Sequence, residues 1–195
     1  MISLSTLSDS LRFVATATRH PLKMGAVLPS GHDLVTAMAA QIDLREQGPV
    51  IELGSGTGAI TEALVKSGID QRRLILIESH QSFYDDLRKR FPDARCFCDD
   101  AYDIETLAKQ DFFPKAAAIV SGLPLRTQSL KRKRAFIESA LRLLRPGAPL
   151  IQFSYGLSPP VEEHQIDATL IAAETIWKNI PPARIWVYKA SDHSG

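Results

Sequence analysis

A chain of 195 residues is the size of one domain with one core. Its 45% hydrophobic content is ordinary for a water-soluble globule, and no run approaches the roughly 18 apolar residues of a spanning helix. Net charge is +1, so no global field gathers nucleic acid; the two cysteines, Cys96 and Cys98, have no partner cluster, which suggests a reduced cytosolic protein without a metal site. Residues 4 to 19 place Leu4, Leu7, Leu11, Val14 and Ala15 at three-and-four spacing, which predicts an amphipathic helix. Asp9 and several serines lie where a secretory signal would be apolar, so export is not expected. Arg12, Arg19, His20 and Lys23 gather toward the end of that helix and just beyond. They suit either the negative end of a helix dipole, with the helix packed on the domain, or an anionic membrane surface. Pro21 ends the segment, and residues 1–29 read as a helix and linker ahead of a domain over 30–195. Ser30 and Asp33 form a capping box for a second helix, whose buried face is Leu34, Val35, Met38, Ala39 and Ile42.

Next comes the stretch Pro49 to Ser67. Val50-Ile51-Glu52-Leu53 leads into Gly54-Ser55-Gly56-Thr57-Gly58, and Ile60, Leu64 and Ser67 follow at helical spacing. That is a buried strand, a tight turn and a helix whose unpaired N–H groups open on the turn. Two cofactors fit it. Gly54-x-Gly56-x-x-Ala59 satisfies a relaxed dinucleotide fingerprint, with Glu78 at about the expected distance of roughly 20 residues. Glu52 favours the other, S-adenosylmethionine, because an acid there repels a pyrophosphate and suits an ammonium or a sulfonium. Here the chain resembles class I S-adenosylmethionine-dependent methyltransferases, whose first motif, E/D-x-G-x-G-x-G, is matched at every fixed position from Glu52 to Gly58. The resemblance implies that Glu52, Gly54, Ser55, Gly56, Thr57 and Gly58 line the cofactor. It also implies an α/β fold: a Rossmann-like, doubly wound, mostly parallel seven-stranded sheet with an antiparallel last strand.

Leu74-Ile75-Leu76-Ile77 is an uninterrupted apolar strand, as in parallel sheets covered on both faces, and it ends in Glu78 and Ser79. A carboxylate there can accept both ribose hydroxyls. Phe83 and Leu87 carry the following helix, with Arg88-Lys89-Arg90 on its solvated side. Arg95 to Phe97 is a short third strand running into Asp99-Asp100-Ala101. In the methyltransferase pattern an acid at this point binds the adenine amino group. The usual Gly-Asp-Ala aligns Asp100 with the binder and puts Asp99 in place of the glycine.

Ala116 to Val120 form a fourth strand that runs into Ser121-Gly122-Leu123-Pro124-Leu125, the segment that faces the transferable methyl in this fold family. Methylases of exocyclic base amines carry Asn/Asp-Pro-Pro-aromatic there, and ribosomal RNA adenine dimethylases carry Asn-Leu-Pro-aromatic. Gly122 replaces the Asn and Leu125 the ring, so neither the group that would bond a base amine nor the ring that would stack on it is present. An apolar, carbonyl-lined turn suits an aliphatic amine better. A long helix follows, with Phe136, Ile137, Ala140, Leu141 and Leu144 on one face. Lys131-Arg132-Lys133-Arg134 in its first turns span the circumference: a solvated basic end, or a contact for anionic lipid or RNA. Arg145-Pro146-Gly147 stops that helix. Leu150 to Tyr155 is the fifth strand, and Ala168–Trp177 with Arg184–Tyr188 make a closing pair.

Several stretches together resemble the small soluble phospholipid N-methyltransferases of bacteria: His20 to Ser30, Glu52 to Gly58, Ser121 to Leu125, Gln152-Phe153-Ser154-Tyr155-Gly156, and Trp177 to Trp186 with its Asn179-x-Pro181-Pro182. This implies methyl transfer to the amino head of phosphatidylethanolamine, toward phosphatidylcholine. It further implies peripheral contact of the N-terminal helix with the inner membrane face from the cytoplasm, with no obligatory nucleic-acid or protein partner. On this reading Ser121, Gly122, Leu123 and Pro124 hold the amine, Ser121 also borders the cofactor, and Tyr155 offers a cation–π contact as methyls accumulate. His20 and His32 are possible proton acceptors. The rivals are an RNA methyltransferase of the adenine dimethylase kind, a small-metabolite methyltransferase, and a non-catalytic membrane-binding module of the same fold.

Overall fold

The computed structural model describes residues 29–111, 113–155, 158–177 and 182–191. The expected N-terminal helix, His20, Gly156 and the Asn179-x-Pro181 part of the last connection lie outside them. Helix α1 (Pro29–Ala39) takes Ser30 into its first turn. After it come β1 (Val50–Leu53), α2 (Ala59–Lys66), β2 (Leu74–Ile77), α3 (Gln81–Arg90) and β3 (Arg95–Phe97). The second half holds α4 (Ile104–Gln110), β4 (Ala118–Ser121), α5 (Leu130–Leu143), β5 (Leu150–Tyr155), β6 (Ala168–Ile176) and β7 (Ala183–Ala190). The sequence reading lacked α4. Its apolar set, Ile104, Leu107 and Ala108, covers little more than one turn, too short a run for periodicity to stand out.

The seven strands lie in the order β3-β2-β1-β4-β5-β7-β6. All pairs among β1–β5 are parallel, and β7 runs antiparallel to both neighbours, so the expected sheet is the observed one. β6 carries an irregularity between Ala172 and Glu174. The order reverses between β1 and β4, which puts a crevice at the carboxyl ends of these two strands.

Alternation along each strand sends side chains to two cores. On one face Val50, Leu74, Leu76, Val120, Ile151 and Phe153 pack under α1, α2 and α3; on the other Ile51, Leu53, Ile75, Ile119 and Leu150 pack under α4 and α5. Glu52 interrupts the first set and Gln152 the second, and both are fully buried or nearly so. Burying such groups costs free energy unless they find partners, so a pure packing layer would not place them there.

Candidate functional site

The turn after β1 sits at that crevice. Gly54, Gly56 and Gly58 have φ of 74°, 53° and 77°, a region that side chains with a Cβ adopt only under strain. The N–H groups of Gly54 and Ser55 both donate to the Ile77 carbonyl, at 2.9 and 3.2 Å, which ties the turn to the end of β2. Glu78 then reaches across. One carboxylate oxygen accepts from the Gly56 N–H at 2.8 Å and the other from the His80 N–H at 2.8 Å. Each oxygen keeps a lone pair free for a further donor. Arg90, expected on a solvated helix side, instead donates to the Thr57 carbonyl and pairs with Glu62 and Asp86. The glycine turn is therefore clamped from both sides.

Glu52 lies directly beneath. It has no exposed surface, and one of its oxygens accepts from the Thr61 hydroxyl at 2.7 Å. Burial pushes its carboxyl up to about 8, against the pull of Thr61 and Ser55. Ser55 lies close enough to exert that pull, yet its hydroxyl makes no hydrogen bond of good geometry. The second oxygen of Glu52 and the hydroxyls of Ser55 and Thr57 are buried without partners. Buried polar atoms are almost always paired. Among the described residues six such side-chain atoms lack a partner, and four belong to Glu52, Ser55, Thr57 and Gln152. This acid-floored cradle, with its unpartnered oxygens, fits a ligand that brings hydroxyl and N–H donors and positive charge, as an adenosyl sulfonium does.

At the end of β3 the two aspartates differ. Asp99 is exposed and accepts only from the Asp100 N–H, at 2.7 Å. Asp100 caps the short turn Ala101–Asp103 by accepting from the Tyr102 N–H at 3.0 Å, and it faces Arg132 at 3.4 Å. Arg132 also lies over the Tyr102 ring, 4.5 Å from its centre. Ala101 is buried behind them, and Ser79 is exposed beside Glu78. Within the basic run Arg132 thus has a specific partner, and Lys133 donates to the Pro160 carbonyl at 3.2 Å. A merely solvated end does not describe it.

The turn after β4 touches the glycine turn. The Gly122 N–H donates to the Leu53 carbonyl at 2.9 Å, and a Cβ on Gly122 would stand 2.9 Å from the Gly54 carbonyl oxygen. Gly122 is glycine because the two backbones meet there. Ser121, fully buried, accepts the Leu123 N–H on its hydroxyl at 3.3 Å. The Leu123 carbonyl accepts from Leu125 N–H at 2.9 Å, and the Pro124 carbonyl from the Thr127 hydroxyl at 2.8 Å. No described residue donates to the Gly122 carbonyl. Leu125, where base methylases carry a ring, is buried in the core under α5.

β5 runs on from Gln152, the register partner of Ser121, to Tyr155, about 10 Å further toward the open edge. Tyr155 is half-buried, stands edge-on to Phe153 with centroids 5.6 Å apart, and burial raises its hydroxyl above the ordinary range. It projects on the face of Glu52, opposite to Gln152 and Ser121. His32 is exposed on α1, near enough to Glu62 to lower that carboxyl, which places it beside α2. Sequence reading missed Gln152, Arg90 and Arg132 as participants. Only Gln152 left a signal, an amide inside an apolar strand.

A family model for ribosomal RNA adenine dimethylase matches residues 32–132, just over half of the chain. An ornithine lipid N-methyltransferase of Singulisphaera acidiphila is 25% identical over 151 residues, 76% of this chain and 79% of that protein. Among solved structures, the N-methyltransferase NodS of Bradyrhizobium japonicum WM9 in complex with S-adenosyl-L-homocysteine superposes with a TM-score of 0.66. It is 15% identical, over 95% of this chain and 98% of that one. A 1,6-didemethyltoxoflavin-N1-methyltransferase of Burkholderia thailandensis gives 0.66 at 11% identity, over 98% and 92%. These two show the fold. With the matched family model, the sheet order and the acid-floored glycine cradle, the chain belongs to the ribosomal RNA adenine dimethylase family and is an S-adenosylmethionine-dependent methyltransferase.

Proposed function

We propose that the protein transfers methyl groups to the amino head group of a membrane lipid, phosphatidylethanolamine, toward phosphatidylcholine. The observation that carries this reading is the β4 turn. Position 122 has no room for the amide side chain with which base methylases hold an exocyclic amine, and Leu125 is committed to the core. What remains is a carbonyl, Gly122's, with no donor of its own. It suits a small aliphatic amine. The relative that matches along three quarters of the chain is named for an amine-bearing lipid, which supports the same substrate class. Trp177, 68% exposed, follows β6 on the open edge of the sheet, and the basic start of α5 follows β4 on that edge. Both are groups that favour a headgroup layer.

In this reading Glu78 takes the ribose hydroxyls on its free lone pairs, Asp100 takes the adenine amine, and Glu52 faces the positive end of the methyl donor. Bound S-adenosylmethionine supplies an activated methyl on a sulfonium. The chain's task is then placement. In the first two transfers the Gly122 carbonyl accepts an N–H of the amine and so aims its lone pair, while Gly54 and Gly122, lacking Cβ atoms, let the two turns close without filling the gap. The ammonium form must first lose a proton to solvent water, which desolvation on entry to the turn favours. Tyr155 overhangs as a face for the product cations.

The family match and the basic run favour a second reading, in which the acceptor is an RNA base. Incubation of the pure protein with a trideuteromethyl donor and either phosphatidylethanolamine vesicles or RNA decides between them. Lipids that gain one to three labelled methyls support the first reading, and label confined to RNA overturns it.

A further inference from the structure

We propose that Gln152 is a positioning residue that determines which carbonyl of the β4 turn is offered to the acceptor. The inference rests on the reading of that turn as the acceptor site, whatever the acceptor. Gln152 is 1% exposed and sits between Ser121 on β4 and Trp186 on β7. Its amide nitrogen donates to the Leu123 carbonyl at 3.1 Å and to the Phe153 carbonyl at 2.7 Å. Both partners are pure acceptors, so the nitrogen must face them and the amide cannot be reversed. The amide oxygen is left buried without a donor. A methionine would fill the space without stranding an acceptor. A side chain that carries such a cost at a buried position serves a purpose other than stability.

That purpose lies in what the nitrogen closes off. The Leu123 carbonyl has two lone pairs; Leu125 N–H takes one and Gln152 the other. Ser121 holds the Leu123 N–H, so both backbone groups of this residue are tied by buried neighbours. The Pro124 carbonyl is occupied by Thr127. Of three successive carbonyls only that of Gly122 stays available. Without Gln152 a second carbonyl, one residue on, competes for the same N–H in a different direction, and the amine's lone pair is no longer aimed at one point.

Gln152→Met and Gln152→Glu test this. With Gln152→Met we expect a melting temperature within a few degrees of wild type, S-adenosyl-L-homocysteine affinity within about twofold by calorimetry, and kcat at least tenfold lower. Gln152→Glu should recover part of its deficit relative to wild type as pH falls, because a protonated carboxyl can again donate to Leu123. Hydrogen exchange at the Leu125 amide, which shares that carbonyl, should change in Gln152→Met whether or not any acceptor is turned over. Unchanged kcat, unchanged exchange, or a joint fall of melting temperature, cofactor affinity and kcat would each overturn the assignment. If wild type labels RNA and not lipid, the lipid reading falls while the same ratios, taken on RNA, still decide the role of Gln152.

Discussion

The β1–β3 half of the sheet presents side-chain acids to the crevice, and the β4–β5 half presents backbone. In the first, Glu52, Glu78, Asp99 and Asp100 stand at or near strand ends. In the second, the polar side chains Ser121 and Gln152 are turned inward onto the chain itself, and the Gly122 carbonyl is left without a donor among the described residues. Acids suit a partner that is the same at every turnover and enters with positive charge. A carbonyl without a neighbouring side chain suits a partner whose bulk grows with each methyl added. On the proposed reading the two ligands are held by different kinds of group, so mutations in the two halves should separate in their effects.

Gly122→Ala is the exception that should strike both. Its Cβ would press on the Gly54 carbonyl oxygen at 2.9 Å, backbone against backbone, with no flexible atom to give way. Overpacking of this kind costs about 1–3 kcal/mol. The variant should melt several degrees lower and lose both cofactor affinity and turnover; a wild-type melting curve would show that the turns are not in contact. Glu78→Ala should act on the cofactor half alone. It removes a carboxylate that accepts from two backbone N–H groups, at 2.8 Å each. Charged hydrogen bonds contribute roughly 1.5–3 kcal/mol, so S-adenosyl-L-homocysteine affinity measured by calorimetry should fall about 10- to 100-fold.

Glu52 sharpens the comparison through pH. Its carboxyl is raised from an ordinary 4.5 to about 8 in the folded protein, mainly by burial. Between those values the folded state holds a proton that the unfolded chain has lost. Stability of the ligand-free protein should therefore fall as pH rises through that window, and Glu52→Gln should flatten the slope. A positive ligand favours the ionised form, so its binding should release a proton and tighten toward pH 8. Calorimetry in buffers of different ionisation enthalpy counts that proton. If S-adenosylmethionine and S-adenosyl-L-homocysteine show the same dependence, Glu52 senses the ammonium; if only the first does, it senses the sulfonium. No proton released by either would remove Glu52 from the charge balance.

The acids and glycines were legible because their meaning is local. Three glycines at alternate positions after an apolar run, and an acid where the next strand stops, state a turn and its neighbour without any knowledge of pairing. Gln152 was not legible in the same way. Its role depends on β5 lying beside β4 in one register, and α5 intervenes between them in sequence. Arg90 reads as the end of a basic triplet, and only the packing of α3 against the glycine turn brings it to the Thr57 carbonyl. The short apolar set of α4 gave too little period to be seen. The expected N-terminal helix lies outside the described residues.

Tyr155 carries the smallest effect and bears directly on the acceptor half. It is held edge-on by Phe153, and two residues of β5, Phe153 and Ser154, separate it from Gln152. A ring face is indifferent to S-adenosyl-L-homocysteine, which has no sulfonium, but attracts a cation, by about 0.5–1 kcal/mol at an exposed site and more when dry. On the lipid reading each acceptor must be a neutral amine to react, but the monomethyl and dimethyl products return to the ammonium form between steps and bury more surface each time. Tyr155→Ala should therefore leave S-adenosyl-L-homocysteine affinity unchanged and the first methylation within about twofold, while the share of trimethylated lipid falls several-fold in a product analysis by mass spectrometry. Tyr155→Phe, which keeps the ring, should fall much less. Equal loss across all steps, or loss of cofactor affinity, would move Tyr155 from the acceptor half to the cofactor half, and the division between acids and backbone would no longer hold at the mouth of the site.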